Sequence, residues 1–144
     1  MELADAVDFA RANRHGVLVT QRRDGRPQLS NVMYHVDDEG VFRISITTSR
    51  AKYHNLRRDP WAAIHVTQTD FYAYVVIEGE VELSDPAADP DDATVEELVG
   101  HYESLVGQHE DWDKFRRAMV DEGRVVARLR PGRAYGMVQL PGGR

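Results

Sequence analysis

The feature that most constrains the fold is a succession of short segments in which apolar residues recur at every second position, each closed by a turn signal. Phe42, Ile44 and Ile46 alternate with Arg43, Ser45 and Thr47. Ala62, Ile64 and Val66 recur at the same period, and Val75, Ile77, Val81 and Leu83 are set against Glu78, Glu80 and Glu82. A period of two sends successive side chains to opposite faces, so these segments predict half-buried strands. The punctuation agrees. Asp24-Gly25 separates a strand at Val17–Arg22 from one at Pro27–Val36, as a hairpin requires. Asp37-Asp38-Glu39-Gly40 leads into Val41–Thr47, and Gln68-Thr69-Asp70 leads into Ala73–Ser84. Pro131-Gly132 predicts a turn between a strand at 125–129 and a last strand at Ala134–Leu140. Gly79, inside the long strand, signals a bulge or a close backbone approach.

Helices fill the remaining stretches. Leu3, Ala6, Val7 and Ala10 share one face of a helix over residues 2–14. Val95, Leu98, Val99, Tyr102, Leu105 and Val106 share a face of another, which Asp91 or Asp92 is placed to cap. Trp112, Phe115 and Met119 mark a helix running to about residue 121, with Trp112 and Phe115 as core. The expectation is a mainly β protein: six or seven antiparallel strands in a small β-barrel with peripheral helices, as one domain over residues 1–144.

Charge gives the first functional signal. The chain holds 18 Lys+Arg and 24 Asp+Glu, a net charge of −6, which argues against general nucleic-acid binding. Between Glu80 and Asp113 there are 12 acidic residues and no Lys or Arg, so the rest of the chain carries 18 basic groups against 12 acidic ones. The cations are densest at Ser49-Arg50-Ala51-Lys52-Tyr53-His54-Asn55-Leu56-Arg57-Arg58-Asp59-Pro60, between a predicted strand and a short helix that Asp59-Pro60 terminates. Thr48 or Ser49 is placed to cap that helix, and the free N–H groups of a helix start favour an anion. A small anionic ligand is therefore expected at this junction.

Other chemistries find little support. The absence of Cys excludes disulfides, thiolate metal sites and Cys nucleophiles, and is compatible with a reducing compartment. The six His residues never fall at HxxxH spacing, and no metal site is expected. No GxGxxG or P-loop pattern occurs, Ser30 and Ser49 lack a nucleophile elbow, and no catalytic side chain stands out. Chemistry, if present, is expected to be carried by a bound cofactor. The acidic N-terminus and the absence of a long apolar run predict no membrane span and a cytoplasmic protein.

Three motifs in order carry a family resemblance: Gly25-Arg26-Pro27-Gln28-Leu29-Ser30-Asn31-Val32, then the basic junction Ser49–Pro60, then Glu78-Gly79. Together they resemble the pyridoxamine-phosphate-oxidase-like superfamily of FMN-binding split barrels, antiparallel and of Greek-key type. More narrowly, they resemble its actinobacterial branch, which uses the deazaflavin coenzyme F420. The likeness runs from about residue 7 to Gly136 and includes Tyr102 and the helix around Asp111-Trp112-Asp113. It implies a homodimer with a cofactor in each interface groove, and a small-molecule substrate that accepts hydride. Carried over by position, Arg50 and Lys52 hold the cofactor phosphate, Ser49 and Asn55 hydrogen-bond it, and Thr47 and Thr48 complete that end. Arg57 or Arg58 reaches a longer acidic tail. Gln28, Leu29, Ser30, Asn31 and Val32 line the ring, and Tyr72 closes the site from the partner chain. Two alternatives stand beside this reading. One is an FMN-dependent oxidase or reductase on the same fold; the other is a non-catalytic binder of the cofactor or of another anion such as haem. A pyridoxamine phosphate oxidase proper is less expected, because no second phosphate clamp for its substrate is visible.

Overall fold

A computed structural model describes residues 1–138 and shows seven strands and four helices. Helix α1 (Leu3–Arg11) precedes the hairpin β1 (His15–Gln21) and β2 (Pro27–Met33). Strands β3 (His35–Val36) and β4 (Phe42–Thr47) follow, then helix α2 (Ala51–Arg58) and the hairpin β5 (Trp61–Thr67) and β6 (Tyr74–Leu83). Helices α3 (Ala93–Leu105) and α4 (Trp112–Asp121) lead to the long strand β7 (Arg124–Met137).

All pairings are antiparallel, in the order β2-β1-β5-β6-β7-β4-β3. The two end strands of that order, β2 and β3, are joined in the chain by Tyr34 alone. The sheet must therefore curl until its ends meet, which gives the half-barrel of a split-barrel fold. Pro27–Val36 is accordingly two strands rather than the one predicted. Up to Met33 the chain pairs with β1; from His35 it pairs with β4. Tyr34 turns fully inward at the switch, packs on Phe42 with ring centroids 5.2 Å apart, and donates its hydroxyl to the carbonyl of Ala10 at 2.8 Å. One residue thus ties the strand switch to α1.

Alternation decides the core. Phe42, Ile44, Ile46, Ile64, Val66, Val75 and Ile77 are buried inside the curl, while a second cluster of Val95, Leu98, Phe115 and Met119 packs α3 and α4 against its outside at Val126. Asp92 is the cap of α3, accepting from the Val95 N–H at 2.8 Å, and Asp111 caps α4. Glu97 of the acidic segment docks α3 on the sheet. Glu97 meets Arg43 at 3.1 Å and Arg128 at 2.6 Å, and Arg128 also meets Glu82. The Arg128 and Arg43 guanidiniums hold the Glu97 carboxyl below its ordinary range against the opposing effect of burial.

Two further sequence expectations need correction. The predicted turn at Pro131-Gly132 is absent: β7 runs through it, paired with β6, and the irregularity appears as a register shift at Glu78/Gly79. Residues 139 and 140 of the predicted last strand lie outside the described residues. Helix α2 has Arg50 at its N-cap position with no side-chain cap, so neither Thr48 nor Ser49 caps it. Instead the Arg50 N–H closes a turn onto the Thr47 carbonyl at 3.2 Å.

The close approach expected at Gly79 is real, since a Cβ there would stand 1.9 Å from the Arg130 carbonyl oxygen. The obstacle is backbone and cannot rotate away. Gly79→Ala is expected to destabilise the protein by about 3 kcal/mol in urea unfolding; a loss under about 1 kcal/mol would show that β6 and β7 are not this close.

Candidate functional site

The curl brings β2 beside the end of β4, and α3 and α4 roof the gap. Between them lies a cavity of about 640 Å³, a size suited to a cofactor or small ligand. One wall is Asn31, Val32 and Met33 of β2, and another is Ser45, Ile46 and Thr47 of β4. Arg50 and Lys52 stand at the start of α2, Arg124 at the start of β7, and the helices contribute Leu98, His101, Tyr102, Leu105, Phe115 and Met119. Strand β2 also borders a second hollow of about 430 Å³ with His15, Gly16, Val17, His65 and Thr67.

The cations give the cavity its polarity. Arg50, Lys52 and Arg124 face one another closely enough that burial first, then the charges of Arg50 and Arg124, lower the Lys52 ammonium below its ordinary range. Among the described residues, neither Arg50 nor Lys52 has a carboxylate within 4.0 Å. Arg124 reaches only the exposed Glu122 at 3.4 Å and the Ser45 hydroxyl at 3.4 Å, and its Nε is buried without a partner. Positive charge gathered in this way at a cavity mouth attracts an anion. Beside it, the first turn of α2 adds uncapped backbone N–H groups of the same sign.

Strand β2 supplies the other half. It lies at one end of the sheet order, so groups on its outer edge have no strand partner. Its side chains alternate between exposed and half-buried, with Leu29 58% exposed; the half-buried Ser30 keeps a buried Oγ with no hydrogen-bond partner. An unpaired strand edge is what a flat polar ring can satisfy, and Asn31, Val32 and Met33 carry that edge along the cavity.

Of the residues singled out from sequence, Asn31, Val32, Thr47, Arg50 and Lys52 meet at the cavity. Leu29 and Ser30 continue the same strand, and Gln28 accepts from the Thr20 hydroxyl at 3.4 Å. Thr48 packs against Gly123, whose missing Cβ leaves room for the Thr48 hydroxyl. Ser49 is exposed, with its Oγ 3.4 Å from that of Thr47. The buried Asn55 turns toward β1 and donates to the Thr20 hydroxyl at 3.1 Å. Arg58 follows it, bonded to Asn55 and to the Gln21 carbonyl, and Arg57 lies over the Tyr53 ring at 5.8 Å. Tyr72 is 67% exposed in the β5–β6 loop beside Phe71, which is 78% exposed with a φ of 76°. Arg124 and His101 escaped the sequence reading. Arg124 joins the site through its register partner Thr47, a pairing of residues far apart in the chain. His101 lies on the apolar face of α3, between Leu98 and Leu105, and that interruption was its only signal.

A sequence profile described as pyridoxamine 5'-phosphate oxidase matches residues 3–137. The chain belongs to this family. Among solved structures, it is similar to the conserved hypothetical protein Rv2991 from Mycobacterium tuberculosis, at 27% identity and a TM-score of 0.73, covering 96% of this chain and 85% of that one. It is also similar to an F420 reductase, at 31% identity and a TM-score of 0.61, covering 85% of this chain and 89% of the other. A pyridoxamine 5'-phosphate oxidase-like protein from Listeria innocua, at 17% identity with a TM-score of 0.65 over 93% of this chain and 96% of that one, shares the fold. Among the described residues no helix is long and apolar enough to cross a membrane, and no cluster of His, Asp and Glu is placed to hold a metal.

The cation cluster makes a direct prediction. Inorganic phosphate at about 100 times its Kd is expected to add about 2.7 kcal/mol to the unfolding free energy of the wild type. The Arg50→Ala/Lys52→Ala variant is expected to lose most of that increment in the same urea titration. An equal increment in both proteins would remove the anion site from this corner.

Proposed function

We propose that this family member is an F420-dependent oxidoreductase that reduces an electron-poor small molecule. The observation that carries the proposal is the meeting, at one cavity, of three cations without buried acidic partners and an unpaired strand edge. The similarity to an F420 reductase supports the choice of cofactor. When bound, the deazaflavin supplies a hydride. Arg50, Lys52 and Arg124 would hold its phosphodiester, and Ser30, Asn31 and Val32 would fix the ring along β2, with Gln28 and Leu29 continuing that edge. Leu98, Phe115 and Met119 give the space beside the ring an apolar lining.

In this reading the protein works as a homodimer with cytoplasmic substrate and cofactor. The exposed apolar side chains support the second copy: Leu29 and Met33 on β2, Phe71 and Tyr72 in the β5–β6 loop, and Tyr135 and Met137 at the end of β7. Tyr72 would then close the partner's site. One observation favours FMN as the second reading. Arg57 and Arg58 turn toward Tyr53, Asn55 and Gln21, and among the described residues the cations that line the cavity, Arg50, Lys52 and Arg124, suit a single phosphate.

Lys52→Ala is expected to weaken deazaflavin binding by tenfold to a hundredfold, since a charge-assisted contact contributes about 1.5–3 kcal/mol. Fluorescence titration measures the affinity and circular dichroism checks the fold. Unchanged affinity in a folded variant would end the phosphate assignment.

A further inference from the structure

His35 and His101 stand back to back between two cavities. Their Nδ1 atoms are 2.8 Å apart. His101, on α3, lines the large cavity, whereas His35, on β3, lines a smaller one of about 270 Å³ with Arg11, Arg14 and Ser104, all exposed at the surface. Among the described residues neither ring's Nε2 has a hydrogen-bond partner, and neither atom is fully buried, which leaves each free to meet a molecule in the cavity that its ring lines. Two rings joined in this way form a continuous hydrogen-bonded path through the wall between solvent and the site.

The surroundings fix the direction of the path. A 2.8 Å contact between two Nδ1 atoms needs one donor and one acceptor, so one ring carries its proton on Nδ1 and the other on Nε2. Arg11 and Arg14 line the small cavity with donors only, so a bare Nε2 on His35 is the form that can accept from that side. The His35 proton is then on Nδ1, His101 accepts it, and His101 holds its own proton on Nε2, toward the large cavity. Burial first, and then the His35 and Arg43 charges, push His101 down to about 4, with Glu97 opposing, so this ring is neutral at neutral pH. His35 is lowered by burial and by Arg43, against Asp37 and Glu97.

We propose that His35 and His101 form a proton relay from solvent to the large cavity, with His101 Nε2–H as the proton donor to the molecule reduced there. The inference rests on the functional reading above, in which the reduced cofactor supplies the hydride. Addition of hydride to one atom of a substrate double bond leaves an electron pair on its neighbour, and a proton is needed to complete the two-electron reduction. His101 Nε2–H gives that proton. His101 Nδ1 takes the His35 Nδ1 proton in the same movement, and His35 Nε2 takes one from water in the small cavity, leaving a hydroxide there. Both rings end neutral with their tautomers exchanged. Once the product has left, water entering the site protonates His101 Nε2, the relay runs back, the His35 Nε2 proton neutralises that hydroxide, and the hydroxide left in the open site passes to bulk solvent. His101 is the catalytic residue and His35 the residue that positions and recharges it. The substrates this selects have a carbonyl, imine or nitro group conjugated to the carbon that takes the hydride.

The test has two arms. Two-bond ¹H–¹⁵N correlation spectra of the wild-type protein without cofactor read the tautomers directly. His35 protonated on Nδ1 and His101 on Nε2 are expected, and either the reverse assignment or Nε2–H tautomers on both rings would overturn the relay. In the second arm, His35→Phe keeps a ring but cannot pass a proton. Its deazaflavin affinity is expected to stay within about twofold, while reduction of an electron-poor acceptor slows by about 100-fold and its solvent deuterium isotope effect changes. An unaltered rate and isotope effect in this variant would overturn the proposal. If the wild type binds neither deazaflavin nor FMN, the functional reading fails separately and the tautomer arm alone decides the relay.

Discussion

The geometry of this molecule depends on one constraint: the two ends of its sheet are consecutive in the chain. Tyr34 is the only residue between β2 and β3, and its buried ring and hydroxyl bond hold the chain where it leaves one end and joins the other. The sheet has no option but to curl. That curl brings Asn31–Met33 across from Ser45–Thr47, and the cavity is the space left between them. The same switch sets His35 immediately after Tyr34 and against α3, so the histidine pair is a product of the topology as much as of its own residue types.

Charge then divides the surface into two roles. The acidic segment meets arginines of the sheet and caps its own helices, so α3 is fastened by Glu97 between Arg43 and Arg128. The cations at Arg50, Lys52 and Arg124 lack comparable partners. Their mutual repulsion is a cost in the free protein that an anion removes, which is how a fold stores binding specificity in a corner of its surface. A ligand that offers one phosphate and a flat polar ring answers both the cluster and the unpaired edge of β2.

Much of this was legible in the sequence, because period-two burial in Phe42–Thr47 is a local property of the strand, whereas Val75, Val76 and Ile77 of β6 are buried in succession. The basic junction was legible for the same reason. The failures share a physical cause. Pro131-Gly132 reads as a turn locally, yet ten-residue pairing with β6 carries β7 straight through it, and the irregularity is absorbed at Gly79. Thr48 reads as a cap, but the helix begins only at Ala51 with Arg50 in the N-cap position, and the Thr48 hydroxyl lies against Gly123. Arg124 and His101 enter the site only through contacts with residues distant in the chain, which no window of sequence contains. Arg57 and Arg58 count as charges in the sequence, whereas the helix turns them onto Tyr53 and β1.

The most direct measurement is a fluorescence titration of the purified, cofactor-stripped protein with coenzyme F420 and, separately, with FMN. Saturable binding with a clear preference for the deazaflavin is the predicted result. Binding of neither would contradict the account, leaving the three cations an ordinary basic surface and the cavity without its ligand.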